Sequence, residues 1–244
     1  MNMDNMRARL GPVRLAPCRG HVTRVTGTIV ESKGPPVGMG ELCDIRLGDG
    51  RTIAAEVVGF HSDLRVLMPL EGVEGVAPHD EVIARRTPRR IGCGPALLGR
   101  VLDALGRPID GKGPIAADEE RTLENVSPDP LRRQRITEPL SLGVRSIDGV
   151  ITVGKGQRMG IFAGSGVGKS TLLGSIARTS NADVNVLALV GERGREVREF
   201  IEESLGEKGL ARSVVCVATG DDSPIQRVKI PMVAITIAEY FRDM

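Results

Sequence analysis

One short stretch limits what this chain can fold into more than any other: a glycine-rich run at residues 163–171 that ends in lysine, serine and threonine. A short apolar segment, residues 158–162, precedes it, and residues 172–178 carry apolar side chains at helical spacing. This order predicts a buried strand, a tight turn and a helix. Glycines let the backbone curl with its N–H groups around an anion, and the helix start adds partial positive charge. The stretch therefore predicts a phosphate-binding loop.

Two side chains give this predicted loop its chemistry. Lys169 would reach the β- and γ-phosphates of a nucleotide, and the Ser170 hydroxyl would be a ligand of Mg²⁺. The usual pattern begins with glycine, whereas this chain has Ala163 there. The alternative is a glycine-rich turn without a ligand, in which Gly-Lys-Ser would have little structural use. The predicted phosphate-binding residues are Gly164, Ser165, Gly166, Val167, Gly168, Lys169, Ser170 and Thr171.

The composition narrows the class of protein. Apolar residues make up 41% of the 244 residues but aromatic residues only 2%, so the core must be built from Val, Ile, Leu and Ala. The net charge of +2 and the few aromatics argue against a nucleic-acid partner. The four cysteines are widely spaced, which favours reduced thiols in a cytosolic protein over a zinc site or disulfides. No apolar run suggests a secretory signal or a membrane span.

The first third of the chain predicts a small β-barrel. Residues 1–20 are polar, rich in arginine and interrupted by prolines, which predicts a flexible N-terminal segment. From residue 21 to residue 88, short β-prone runs alternate with turn residues at regular spacing. The predicted strands cover residues 21–30, 41–47, 52–60, 64–70 and 81–85.

The remainder, residues 89–244, predicts an α/β nucleotide-binding domain. We expect a short helix within residues 97–105, buried strands at 184–190 and 212–218, and a helix over 196–205. A last helix is expected over residues 229–241, with Pro231 in its first turn. Alternation of strands and helices implies a mainly parallel sheet.

A second candidate site follows the strand predicted at residues 184–190. Glu192 and Arg193 lie directly after it, and the loops that follow parallel strands form the ligand edge of a sheet. Glu192 could orient a water for attack on a γ-phosphate, and Arg193 could order the loop or hold phosphate charge. A solvated or ion-paired helix start explains the same charges, so spacing alone leaves both interpretations open.

Several of these segments together resemble the type III protein export ATPases, with the flagellar export ATPase more similar than the injectisome ATPase. Both resemble the catalytic subunit of the rotary ATP synthase. The resemblance covers roughly residues 20–244. The segments that carry it are residues 164–173 (GSGVGKSTLL), 190–201 (VGERGREVREFI), 129–133 (DPLRR), 139–145 (PLSLGVR) and 238–243 (AEYFRD).

The resemblance implies a fold, a site and a set of partners. It implies an N-terminal β-barrel that supports ring assembly, followed by a RecA-like domain that binds ATP and Mg²⁺. Lys169, Glu192 and Arg193 would be catalytic, with Glu192 as the base, and Ser170 the metal ligand. The implied assembly is a homo-hexamer, cytoplasmic and peripheral to the inner membrane at the export gate. Its implied partners are a regulator, stalk proteins, export chaperones and their substrates.

The sequence departs from this family in two respects. Members continue past the position of Met244 with the Walker B aspartate, the arginine finger and a helical C-terminal domain. We therefore expect the 244-residue chain alone to bind nucleotide weakly, hydrolyse it very slowly, and aggregate or need a partner. The second departure is Lys229-Ile230-Pro231-Met232, where members usually have small residues in a continuous helix.

The alternative function is a truncated paralogue that acts as a nucleotide-binding interaction module. A RecA-like nucleic-acid motor is the weakest hypothesis.

Overall fold

A computed structural model of the chain describes residues 17–123, 129–164 and 166–244. The chain divides into two units, one that ends at Arg89 and one that begins at Arg90. No helix among the described residues combines the length and the apolar character needed to cross a bilayer.

The first unit is a closed antiparallel barrel with the strand order β1-β2-β5-β4-β3-β6. Its interior holds fully buried aliphatic side chains such as Val30, Ile45 and Leu67. This confirms the predicted barrel, except that the run expected at residues 21–30 is divided between two strands that are joined at Gly27, which has φ +58°. The strands are β1 (Arg19–Thr26), β2 (Ile29–Lys33), β3 (Leu42–Arg46), β4 (Thr52–His61), β5 (Leu64–Pro69) and β6 (Glu81–Ala84).

The second unit contains short strands and helices around one parallel sheet. Its strands are β7 (Arg90–Cys93), β8 (Val101–Leu102), β9 (Glu119–Thr122), β10 (Pro139–Leu140), β11 (Val153–Gly154), β12 (Asn185–Val190) and β13 (Ser213–Ala218). Its helices are α1 (Arg145–Val150), α2 (Lys169–Thr179), α3 (Gly194–Glu199), α4 (Gly206–Ala211) and α5 (Pro224–Asp243), with a π-helix at Phe200–Leu205 and 3₁₀ turns at Pro95–Leu97 and Pro130–Arg132.

The parallel sheet has the order β12-β13-β8 and is covered on both faces. Val214 and Cys216 of β13 pack with α5, whereas Val215 and Val217 pack with α2 and the helical run from residue 194 to residue 211. Because both faces are covered, β13 is buried along its whole length. The predicted parallel α/β sheet is confirmed.

The helix expected within residues 97–105 is wrong. That segment contains the end of a 3₁₀ turn and the two-residue strand β8, which pairs with β13. Gly99 and Gly106 have φ +76° and +78°, so the chain turns on both sides of β8. A short apolar run fits a helix or a buried strand equally well in sequence, and here pairing with β13 decides.

Two further expectations are wrong. Residues 158–162 form no strand and are exposed, with Phe162 97% accessible, because no described strand pairs with them. The last helix begins at Pro224 rather than near residue 229, so Pro231 lies inside α5 and not in its first turn. Pro224 at the first helical position supplies the start that the sequence pattern had placed later.

Candidate phosphate-binding site

The glycine-rich loop runs directly into helix α2. Gly166 and Gly168 have φ +76° and +91°, a backbone region that costs glycine little and other residues more. Gly168 is the N-cap residue of α2, and its carbonyl accepts the first helical hydrogen bond, from the Leu172 N–H at 2.9 Å. Lys169 is therefore the first helical residue. Ser165 lies outside the described residues.

The space around this loop is open. A Cβ placed on Gly164, Gly166 or Gly168 would meet nothing within 4 Å. No side chain caps the N-terminus of α2, so the N–H groups of its first turn have no partner within the helix. Lys169, Ser170 and Thr171 are exposed in that turn, beside the exposed Val167. Free N–H groups, a positive helix end and an exposed lysine match what a phosphate group requires.

Glu192 lies at the carboxyl edge of the parallel sheet, in the loop after β12. Its carbonyl accepts a hydrogen bond from the Gly220 N–H at 3.1 Å, and the Gly191 N–H donates to the Ala218 carbonyl at 2.6 Å. These two bonds join the loop after β12 to the loop after β13. The Glu192 side chain is half-buried in a loop that is thus held in place.

The Arg193 side chain forms an ion pair at the start of helix α3. As the N-cap residue of α3 it donates from Nη1 to Glu196 Oε1 at 2.8 Å, and this bond keeps the pKa of Glu196 below its ordinary value. Within the described chain, no hydrogen bond or ion pair joins Glu192 or Arg193 to residues 164 and 166–171. The catalytic roles of Lys169, Glu192 and Arg193 stay predictions.

The chemistry of the candidate metal site is sparse. The described residues contain no group of three or more His, Cys, Asp or Glu side chains that could hold a metal ion. Asp222 is used within its own loop, where Oδ2 accepts from the Thr219 N–H at 2.6 Å and from Thr219 Oγ1 at 2.9 Å. The Ser170 hydroxyl is thus the protein ligand predicted for Mg²⁺, with phosphate oxygens and water completing the shell.

Hydrogen bonds around Asp148 support the end of α2, and the sequence pattern does not predict them. The Asp148 carboxylate accepts hydrogen bonds from Ser141 Oγ and from the Leu142 and Gly143 N–H groups, at 2.8 to 3.0 Å. Thr179 Oγ1, in the last turn of α2, donates to the Leu142 carbonyl at 2.8 Å. Asp148 therefore holds a turn against the end of the helix that carries Lys169. Sequence spacing carries no signal for it, because the partners share no regular element.

The barrel, the parallel sheet and the glycine-rich loop define a P-loop nucleotide-binding protein. Two domain models of the ATP synthase alpha/beta family match the chain: the beta-barrel domain over residues 22–86 and the nucleotide-binding domain over residues 143–244. Together these matches cover more than half of the sequence. The chain belongs to the ATP synthase alpha/beta family.

The relatives include a secretion-system ATPase and a flagellum-specific ATP synthase, which confirms the resemblance drawn from the motifs. The chain is 53% identical over 225 residues to the "Type 3 secretion system ATPase" of Xanthomonas euvesicatoria, covering 92% of this chain and 51% of the relative. It is 51% identical over 226 residues to the "Flagellum-specific ATP synthase" of Bacillus subtilis (strain 168), covering 92% and 52%.

A solved structure shows the same fold. The assembled ATPase EscN from the enteropathogenic E. coli type III secretion system matches with a TM-score of 0.82 at 43% identity, over 92% of this chain and 54% of that one. EscN in complex with its central stalk EscO matches with a TM-score of 0.83. The chain spans about half the length of the relatives it matches.

Proposed function

We propose that this chain is the nucleotide-binding half of an ATP-hydrolysing subunit of a bacterial type III protein export apparatus. One observation carries the proposal: two glycines with positive φ, Gly166 and Gly168, lead into a helix that begins at Lys169. The sequence identity of 53% and 51% to a secretion-system ATPase and a flagellum-specific ATP synthase supports it. The open, uncapped start of α2 is suited to hold the phosphates of ATP. ATP hydrolysis would be coupled to unloading and export of substrates.

Each residue of this site has a separate proposed role. The N–H groups of the loop and of the first turn of α2 would hold the phosphates, and Lys169 would neutralise the terminal ones. Ser170 would hold Mg²⁺, which supplies further neutralisation of phosphate charge when bound. Glu192 would orient the attacking water, and Arg193 would keep the start of α3 in place through Glu196.

The proposed partners follow from the relatives. The names "assembled ATPase" and "central stalk" favour a ring of this chain around a stalk protein, and we propose a homo-hexamer. An export regulator, chaperones with their substrates and peripheral association with the membrane export gate complete the proposed set, at the cytoplasmic face of the inner membrane. Flagellar and secretion-system relatives match at similar identity, so both memberships stay candidates. On the resemblance of the motifs we propose flagellar membership first and the injectisome second.

A second function, nucleotide binding with little turnover, is favoured by one observation. Residues 158–162 precede the loop without pairing to any described strand, and Phe162 is 97% exposed. A phosphate loop that is anchored on one side only positions the reacting groups less precisely, which lowers turnover more than binding. Under this hypothesis the chain is an interaction module that docks beside catalytic subunits.

The experiment measures MgATP binding by calorimetry and phosphate release for the chain and two lysine variants. We expect Lys169→Ala to weaken MgATP binding by about tenfold or more, because a charge-assisted phosphate contact is lost. Lys208→Ala removes an exposed lysine of α4 and serves as the matched control. Binding that Lys169→Ala leaves unchanged would contradict the proposal. MgATP binding without measurable phosphate release would instead support the interaction module.

A further inference from the structure

Gly174 is buried in the middle of α2 at a point where two backbones meet. A Cβ on this residue would lie 2.5 Å from the carbonyl oxygen of Ser204, 2.7 Å from its carbonyl carbon and 2.8 Å from its Cβ. Two of these three atoms are backbone and cannot swing aside. A glycine in mid-helix weakens the helix relative to alanine, so the close approach is what glycine provides here.

Ser204 belongs to the helical run that starts immediately after Glu192 and Arg193. This run consists of α3, the π-helix and α4, and Ser204 lies in the π-helix. A π-helix within an α-helical run is rare and frequently marks a functional site. Gly174 therefore joins the helix that begins at Lys169 to the run that begins behind Glu192.

The two elements also share one apolar cluster. Ala177 of α2 packs with Val197, Phe200 and Leu205 of the helical run, over Leu187 and Leu189 of β12. Packed cores transmit strain because they contain few voids. A displacement at Gly174 would thus change the position of α2 relative to the sheet edge that carries Glu192.

We propose that Gly174 is a positioning residue, which sets the separation between the phosphate-binding start of α2 and Glu192. The inference rests on the proposed function, because the separation matters only if a nucleotide is held by α2 and attacked from Glu192. An added Cβ would force the two backbones apart by about 1 Å to reach ordinary contact. A misplacement of that size can cost about 10²-fold in rate.

The first test needs no nucleotide. Amide hydrogen exchange is compared between the chain and Gly174→Ala, with Gly149→Ala as the control, since a Cβ on Gly149 meets nothing within 4 Å. We expect exchange about tenfold faster both in residues 169–178 and in residues 191–199 of Gly174→Ala, and no change in the control. A change confined to α2 would overturn the proposal.

The second test measures the reaction. In single-turnover experiments with MgATP, we expect Gly174→Ala to lower the hydrolysis rate about tenfold or more, with MgATP affinity held within about threefold. A uniform loss of affinity at an unchanged rate would overturn the positioning role. If the unmodified chain releases no phosphate, the proposed hydrolytic function fails, and hydrogen exchange then decides only whether Gly174 sets the packing of α2 against the helical run that follows Glu192.

A milder variant covers the case in which Gly174→Ala does not fold, as judged by circular dichroism and thermal melting. Gly209→Ala crowds the same two elements, but the three atoms nearest its Cβ would belong to side chains: Leu205 Cδ1 at 2.8 Å, Arg178 Cγ at 3.0 Å and Leu205 Cγ at 3.2 Å. We expect the same pattern of exchange at smaller amplitude. Unchanged exchange in residues 191–199 of a folded Gly209→Ala would overturn the proposal.

Discussion

At the scale of single residues, one buried ion pair holds the edge strand of the parallel sheet. Arg100 donates to Asp110 through Nε at 2.7 Å and Nη2 at 2.9 Å, and the two side chains are only 11% and 7% exposed. The Asp110 carboxylate also accepts from the Val101 and Lys112 N–H groups. Because Val101 begins β8, this carboxylate fixes the strand that pairs with β13.

We expect Asp110→Ala to lower the melting temperature by roughly 10 °C, since it leaves the largely buried guanidinium with only the Gly113 carbonyl as acceptor and two N–H groups with none. Asp221→Ala removes an exposed carboxylate of the same unit and should change the melting temperature little. Differential scanning calorimetry at pH 7 makes the comparison. Equal melting temperatures for the two variants would show that the pair does not stabilise the fold.

The same pair predicts a pH dependence of stability. The Arg100 hydrogen bonds, aided by the two N–H groups, hold the pKa of Asp110 well below its ordinary value. A carboxyl group with a depressed folded pKa contributes stability above its unfolded pKa, near 4, and loses it as the pH falls further. Between pH 7 and pH 3 the melting temperature should therefore fall less steeply with falling pH for Asp110→Ala than for the unmodified chain. Parallel curves would contradict the assignment.

Individual site residues were predictable only where a local pattern encodes the geometry. The phosphate loop could be found because glycine, lysine and hydroxyl residues must be consecutive for the backbone to curl into a helix start. Glu192 could be placed at the ligand edge because it follows a buried strand. Asp148 could not, because it bonds to an irregular turn five to seven residues before it, and Gly174 could not, because Ser204 reaches it only through tertiary packing.

At the scale of elements, the predictions that failed were those in which a partner decides the structure. The barrel strands were predictable because turn residues bound each of them and alternate side chains enter the core. Residues 97–105 and 158–162 are short apolar runs without that alternation. The first segment is a strand because β13 pairs with it, and the second is not, since no described strand does. Pairing is information that a short apolar run does not contain.

The contribution of helix α5 to stability can be tested by substitution, because Pro231 lies inside the helix. An interior proline removes one helical hydrogen bond at a cost of about 3 kcal/mol, while stiffening the unfolded chain by up to about 1 kcal/mol. We expect Pro231→Ala to raise the free energy of unfolding by about 2 kcal/mol, measured by urea titration. Pro224→Ala, at the first helical position where proline fits, should give no gain. Destabilisation by Pro231→Ala would show that the packing of α5 depends on the proline.

At the scale of the whole molecule, the chain contains two units with separate cores. Leu67 is fully buried inside the barrel, and Leu205 is fully buried between α2, the π-helix and the parallel sheet. No apolar cluster among the described residues contains members of both units. Each core should therefore set the stability of its own unit.

Scanning calorimetry of matched leucine variants tests this expectation. We expect two thermal transitions, with Leu67→Ala lowering only the barrel transition and Leu205→Ala only the other. Truncation of a buried leucine costs about 2–5 kcal/mol, which corresponds to a shift of roughly 10 °C for units of this size. One transition that both variants lower equally would mean that the units unfold as a single cooperative body. In that case a core substitution in the barrel would also weaken MgATP binding at α2, whereas with independent units it leaves binding at 25 °C unchanged.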